Sequence, residues 1–510
     1  MSLSVHLRAA CQKDPGRRAL VAGDRSWTYG EFQDAVQRLA AALTGLGIRA
    51  GDRVALQLTN SPELVLAYYA CFQIGAVSVP LNARFAPPEI EYALNHSASR
   101  VCISQSDLFG NVAPIRSHLK ALEHVFLIDK ANHFSGTRAF GELLDSPAHE
   151  PTFAPVPEDA VAAVLYTSGT TSRPKGVTHT HRSLCATAES HGTHIGLRSD
   201  DVICIVSPMC HILGFALQML TGVWGGAELI IIPRSDPELV LQAVQHHQAT
   251  RIGGLPTMYQ GLTNHPGAER DALKTLRTCL CGGDAVPVAL QERFRSTFGV
   301  AILEGCGMTE VVPYALNTPQ QNRPGSIGRA CPGVTIRLVD DSGRDVPVGS
   351  AGEILVKSDT TMIGYWNEPE ISASVMADGF IRSGDLGRVD EDGFYWFTGR
   401  KKEIIIRAGS NISPLEVEEV LYRHPRVREC GVVGVPDADL GEVVWAYVAA
   451  RHPVTATELQ EFARQQIAPY KVPEEIRFLP ELPKGATGKV SRRTLRDQAT
   501  RERSGAIRTG

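Results

Sequence analysis

What most constrains this chain is an alternation through its first part. Short, unbroken apolar runs are separated by segments with helical apolar spacing. The runs are VALQL from Val54, AVSVPL from Ala76, VCIS from Val101, HVFLID from His124, VAAVLYT from Val161, VICIVSP from Val202 and ELIIIP from Glu228. Between them, Trp27 to Leu46 reads as a helix with Thr28 as N-cap and Gly45 near its end, and Ser61 through Ile74 as a helix closed by Gly75. Strands that are apolar on both faces must be covered on both faces. The pattern therefore predicts α/β architecture: a large N-terminal domain of parallel-rich sheets with flanking helices.

From Gly325 the texture changes. Turn signals recur at Asp340 to Gly343, Asp378-Gly379 and Glu391 to Gly393, and between them lie alternating segments such as TIRLVD and GEILVKS. This predicts a β-rich subdomain over about 325–399. Beyond Gly399 come a strand (EIIIR), a helix from Ser413, two strands (ECGVVGVP, VVWAYVAA) and a helix from Thr455 to Ile467. They predict a small α+β C-terminal domain. The expected division is 1–399 and 400–510, with a frayed tail from Arg496 to Gly510.

Composition narrows the function classes. The 510 residues carry 51 Lys+Arg against 55 Asp+Glu, a net charge of −4, without the basic excess of a dedicated nucleic-acid binder. The 11 cysteines are odd in number and scattered, and no C-x-x-C pair occurs, so free thiols in a reducing compartment are expected. The opening MSLSVHLRAACQK has no apolar signal core. The most apolar stretch, Gly214 to Pro233, holds Gln218, Thr221 and Glu228 and reads as core, not a bilayer span. A cytoplasmic protein without a transmembrane segment is expected.

The sharpest local signal is YTSGTTSRPKGV, Tyr166 to Val177. It follows the strand VAAVL and precedes a helix opening near Arg182. Thr167, Ser168, Thr170, Thr171 and Ser172 supply hydroxyl donors, Gly169 and Gly176 allow tight turning, and Lys175 adds a cation. Glycine-rich turns converge backbone N–H groups on an anion, and lysine is a point charge suited to phosphate. Ser/Thr clusters also mark ordinary loops, but this density at a strand's carboxyl end points to phosphate binding. No Walker A, G-x-G-x-x-G or H-E-x-x-H motif occurs.

YTSGTTSRPKGV resembles the signature of the adenylate-forming superfamily: acyl-CoA synthetases, luciferases and the adenylation domains of peptide synthetases. Further matching motifs follow in order: His211 in PMCHILG, Gly282-Gly283-Asp284, GCGMTE from Gly305 to Glu310, Asp385 in RSGD, GRKKEIIIRAGSNISPLEVE, and Lys489 in PKGATGK. The resemblance covers nearly the whole chain and is greatest to fatty-acyl- and aryl-CoA ligases. It implies a two-step reaction. A carboxylate attacks the α-phosphate of MgATP, giving an acyl-adenylate and pyrophosphate, and the thiol of coenzyme A then displaces AMP. A carrier protein is the alternative acceptor.

The resemblance also implies roles. Ser168, Gly169, Thr170, Thr171 and Lys175 would hold the departing pyrophosphate, with Thr170 in the catalytic set. Glu310 would be the Mg²⁺-associated carboxylate, with Thr167 and Thr309 beside the α-phosphate and metal. Gly283, Asp284, Gly305, Cys306, Gly307 and Met308 would line the nucleotide site. Asp385 and Arg400 would hold the ribose. Singly, Asp385 could cap a turn, Glu310 could be surface and Arg400 an exposed pair. Lys489 would reach between carboxylate and α-phosphate. Lys402 matches the hinge about which the small domain swings, and Gly409 fits the pantetheine tunnel. Cys306 departs from the pattern, because relatives usually carry an aromatic there against adenine.

His211 matches a histidine bordering the carboxylate. Ile212, Gly214, Gly254, Met258 and Gly282 would wall the acyl pocket. Gly253-Gly254 lack bulk, so an open apolar tunnel for a medium or long chain, or a flat aryl acid, is expected. No aspartate of the amino-acid-binding type occurs in the His211 segment. The expected partners are a small-molecule carboxylic acid and CoA, with no nucleic acid, in a monomer or homodimer.

Overall fold

The computed structural model describes residues 2–129, 134–145, 153–167, 173–437, 439–485 and 488–508. Two large sheets form the body. In one, Ile302–Met308, Thr278–Cys281, Arg251–Gly254, Val202–Ile205, Glu228–Ile231 and Arg18–Ala22 lie side by side in that order, all parallel. In the other, Val161–Thr167, Val77–Pro80, Arg53–Gln57, Val101–Ser104 and His124–Leu127 are parallel neighbours. The apolar runs that predicted parallel strands are these strands.

Helix Pro62–Ile74 shows what joins the layers. Leu64 through Phe72 are all buried, on every face of the helix. It packs on Arg18–Ala22 of one sheet and on Arg53–Gln57 and Val77–Pro80 of the other. A helix apolar all round belongs in such an interior. Ser61 caps its start through the Leu64 N–H, and Gly75 ends it in the left-handed region at φ 71°. Thr28 likewise caps Tyr29–Gly45 in a capping box with Glu31.

A β-rich unit follows, with Thr335–Val339, Gly352–Lys357, Phe380–Val389 and Tyr395–Arg400 antiparallel. A last sheet joins Ile405–Arg407, Ser410–Ile412, Val427–Asp437, Gly441–Ala450 and Glu475–Phe478, covered by helices Pro414–Arg423 and Ala456–Arg464. One expectation is corrected. The tail is helical over Arg492–Arg508, because Leu495 and Ala499, one turn apart, are wholly buried there. The helix expected near Arg182 is present, but a further strand stands before it. Lys175–Thr180 is a strand antiparallel to Val161–Thr167, and the helix His181–His194 begins only after it.

All eleven cysteines are free. Among the described residues no helix is long and apolar enough to cross a membrane. The apolar stretch after Gly214 is core: Leu213–Leu220 is a π-helical segment, buried at Phe215, Ala216, Gln218, Met219 and Leu220.

Candidate active site

Parallel sheets place chemistry at the carboxyl ends of their strands. Here those ends carry the motifs. Thr167 ends one strand, Cys281 precedes Gly282-Gly283-Asp284, Gly254 ends another, and Ser207 to His211 follows Val202–Ile205. Two glycines at these ends permit close backbone approach. A Cβ on Gly282 would stand 2.7 Å from the Gly305 carbonyl oxygen, and one on Gly305 would stand 2.4 Å from Leu316.

The ends meet a cavity of about 120 Å³ lined by Gly283, Asp284, Gly305, Cys306, Gly307, Asp385, Arg400 and Lys489. Eight residues named from sequence thus line one cavity. Asp385 is buried, and Arg400 stands opposite it in strand register, its Nε 3.2 Å from Asp385 Oδ1. Burial raises the Asp385 pKa, and Arg400 opposes the rise. Lys489 comes from the C-terminal sheet's side of the crevice. A Cβ on Gly283 would lie 3.8 Å from its Nζ. Burial lowers the Lys489 pKa, while Asp284 holds it up.

Ile327 and Phe397 line the same cavity, and neither was legible in the sequence. Cys306 brings a thiol where an aromatic was expected; Phe397 supplies a ring on another wall. Burial pushes the Cys306 thiol up to about 12, so it stays protonated.

Glu310, the carboxylate expected to associate with the metal, is held by neighbours. The Tyr365 hydroxyl donates to Glu310 Oε1 at 2.7 Å, and Lys175 Nζ lies 5.0 Å from the Tyr365 ring centre. Burial raises the Glu310 pKa, with Tyr365 and Lys175 pulling it down. His179 is fully buried, and burial depresses its pKa to about 4. Its neutral ring donates from Nε2 to the Thr309 carbonyl at 2.7 Å, so Nδ1 accepts from Ser183 Oγ at 3.0 Å. His179 and Tyr365 were missed because their contacts are long-range. A single hard carboxylate with the Thr167 hydroxyl suits Mg²⁺, which takes few protein oxygens and completes its shell with phosphate and water. Among the described residues no cluster of three His, Cys, Asp or Glu forms a metal cage.

His211 is oriented by Asn82. Asn82 Oδ1 accepts from the Arg84 N–H at 2.9 Å, which turns the Asn82 amide nitrogen toward His211 Nε2 at 3.3 Å. Nε2 must accept there, leaving the proton on Nδ1. Burial, then the Lys489 charge, lowers the His211 pKa to about 4.

The expected open tunnel is corrected. A Cβ on Gly254 would stand 2.8 Å from Met258 Cε, and one on Gly253 3.0 Å from Gln218 Nε2, so side chains already fill the space over both glycines. Met258 is buried, on the helix Pro256–Thr263 that follows the Gly254 strand. Gly214 would strike the Ser207 and Pro208 carbonyls at 2.5 Å. It serves close packing under the His211 turn, which Ile212 continues.

The remaining candidates lie elsewhere. Ser168, Gly169, Thr170 and Thr171 fall outside the described residues. Met308 packs against the β-rich unit's core. Lys402 lies in the single turn Lys401–Glu403, where burial and Arg400 lower its pKa. Gly409 is on an exposed hairpin turn at φ 81°, away from both cavities. A second cavity of about 440 Å³ opens between body and C-terminal unit, bounded by Leu255, Asp284, Trp396, Leu415, Tyr422 and Lys489.

A family profile described as AMP-binding enzyme matches residues 7–366, and one described as AMP-binding enzyme C-terminal domain matches residues 416–489. The chain belongs to the AMP-binding enzyme family. This AMP-binding enzyme is 37% identical over 496 residues to a feruloyl-CoA synthase of Amycolatopsis sp, spanning 94% of this chain and 96% of that one. It is 34% identical over 519 residues to a long-chain-fatty-acid–CoA ligase of Bacillus subtilis (strain 168), spanning 95% and 92%. The anthranilate CoA ligase AuaEII, solved with anthranoyl-AMP, superposes with a TM-score of 0.93 at 29% identity over 99% of this chain and 98% of its own. The family and the α/β architecture expected from the motifs are those found.

Proposed function

We propose that the protein is an AMP-forming carboxylate–CoA ligase acting on a fatty acid of medium or long chain or on an aryl acid. The observation that carries this reading is Lys489, delivered from the C-terminal unit to the Gly283-Asp284 end of the nucleotide cavity, opposite the Asp385–Arg400 pair. Relatives named as ligases of aryl and aliphatic acids support the choice of acceptor and substrate class.

In the first step a carboxylate oxygen bonds to the α-phosphorus, and the bond to the β-phosphate oxygen breaks, releasing pyrophosphate. Negative charge builds on the α-phosphoryl oxygens. The Lys489 ammonium stabilises that charge, which electrostatic groups fixed in place do best. Lys175 and the hydroxyl-rich segment before it grip the pyrophosphate, and Asp385 with Arg400 accepts from and donates to the ribose. His211 stays uncharged and offers Nδ1–H to the acid's carboxylate. Mg²⁺, held through Glu310 and Thr167, would neutralise phosphate charge. In the second step the CoA sulfur attacks the acyl carbon and the bond to AMP breaks. For this step the small unit turns about Lys402 and brings the Gly409 hairpin to the crevice. The protein works as a cytoplasmic monomer or homodimer.

A carboxylate panel tests the proposal: saturated chains of graded length beside benzoate and cinnamate types, scored for pyrophosphate release and for thioester. Activation with CoA-dependent thioester formation is expected. Acyl transfer only to a pantetheinylated carrier protein would replace CoA ligation with carrier loading, and no pyrophosphate release with any acid would overturn the proposal.

A further inference from the structure

Helix Pro87–Ser97 lies outside every motif of the proposed site. Its Tyr92 and His96, one turn apart, stack with ring centres 5.1 Å apart and planes 13° from parallel. This pair touches both flanks of the hydroxyl-rich segment. On one flank, His96 Nδ1 and the Tyr166 hydroxyl are 2.9 Å apart, and the Tyr92 ring meets the Tyr166 ring edge-on at 6.3 Å. On the other, the Arg173 guanidinium carbon lies 5.6 Å from the Tyr92 ring centre. The two strands themselves are closed at that end by a long contact, Thr167 Oγ1 to the Lys175 carbonyl at 3.5 Å.

We infer that Tyr92 is a positioning residue for Thr167 and Lys175 at the two strand ends, acting through Arg173 and, with His96, through Tyr166. The inference rests on the reading that Thr167 and Lys175 face the ATP tail. Donors carried on two strand ends converge on phosphate only if the ends keep their spacing. Fixing a neighbour of each against one helix sets that spacing before the nucleotide arrives. A cation over an aromatic face supplies such an attachment without needing a buried charge pair. Tyr92 touches neither acid nor CoA in this scheme, so its effect belongs to ATP alone.

The test is steady-state pyrophosphate release by Tyr92→Ala, Tyr92→Phe, Arg173→Ala, the Tyr92→Ala/Arg173→Ala double variant and Lys175→Ala. Tyr92→Ala is expected to raise KM for ATP by about three- to tenfold, with KM for the acid and kcat within about twofold. Tyr92→Phe, which keeps the aromatic face, should restore KM for ATP. The double variant should be no worse than the poorer single one, because the two residues act as one unit. An unchanged KM for ATP in Tyr92→Ala beside a raised one in Lys175→Ala would overturn the inference and leave the phosphate reading standing. No change in either would overturn both. Equal increases for ATP and acid, or additive single effects, would reduce Tyr92 to a packing role. Should Tyr92→Ala fail to fold, Arg173→Ala carries the same expectation and the same refutation.

Discussion

The Cys306 thiol lies 2.9 Å from the Tyr314 hydroxyl, and that hydroxyl stands 3.4 Å from Asp385 Oδ2. Tyr314 is wholly buried behind the cavity wall. The small thiol leaves room for a phenol that braces the Asp385 carboxylate, which the proposed function assigns to the ribose. Removing that hydroxyl should cost one modest hydrogen bond. Tyr314→Phe is expected to raise KM for ATP by about three- to tenfold and to erode discrimination against 2′-deoxy-ATP. Kinetics with both nucleotides check this, and unchanged discrimination would detach Tyr314 from the ribose.

The proposed function gives Lys489 a part in one half-reaction only. Lys489→Ala should lower adenylation by at least about a hundredfold while thioester formation from supplied acyl-AMP persists. The two half-reactions are measured separately, and equal loss in both would contradict the assignment.

Lys402 follows the last residue of the strand Tyr395–Arg400 by two positions. Proline fixes φ near about −65°, so Lys402→Pro should spare adenylation and cripple thioester formation. Normal thioester synthesis by that variant would remove Lys402 from the pivot.

Three buried histidines set an acid limit on stability. His179 and His211 are depressed to about 4 and His191 to about 3, each chiefly by burial. Their unfolded forms take up protons below about 6.5 and the folded forms do not, so stability falls as pH drops from about 6.5 toward 4. The thermal midpoint should decline over that window. His191, whose two ring nitrogens have no hydrogen-bond partner among the described residues, gives the cleanest variant: His191→Leu should flatten the decline.

On the proposed function, Met258 over Gly254 forms the floor for the acid. Met258→Ala opens space over Gly254 and should shift kcat/KM toward longer acids, at a stability cost of about 2–5 kcal/mol. A graded chain series reads the shift; an unaltered length preference would place the floor elsewhere.

The parallel core and the nucleotide wall were readable because both are local. Each apolar run is a strand, and the Thr167, His211 and Gly282-Gly283-Asp284 motifs sit at or just beyond a strand's carboxyl end. What escaped depends on distant register. Tyr365 reaches Glu310 only because Gly364–Tyr365 pairs with Lys175–Thr180, and that strand was itself hidden by its polar residues. Thr178, His179 and Thr180 are buried there with hydrogen-bonded side chains, so no alternation announces it. The glycine pair was misread for a similar reason: Gly253 and Gly254 look vacant until Gln218 and Met258 fold over them. The tail looked polar, yet two small apolar side chains at helical spacing were enough to seat it.

Arg400 is the final residue of a strand still laddered to Phe380–Val389, and the turn Lys401–Glu403 begins immediately after it. On the proposed pivot at Lys402, Asp385 and Arg400 would stay moored to the body while Lys489 departs. The mixed anhydride would then change its surroundings without changing its berth, and a hydrolysable intermediate would never have to be released between the two reactions.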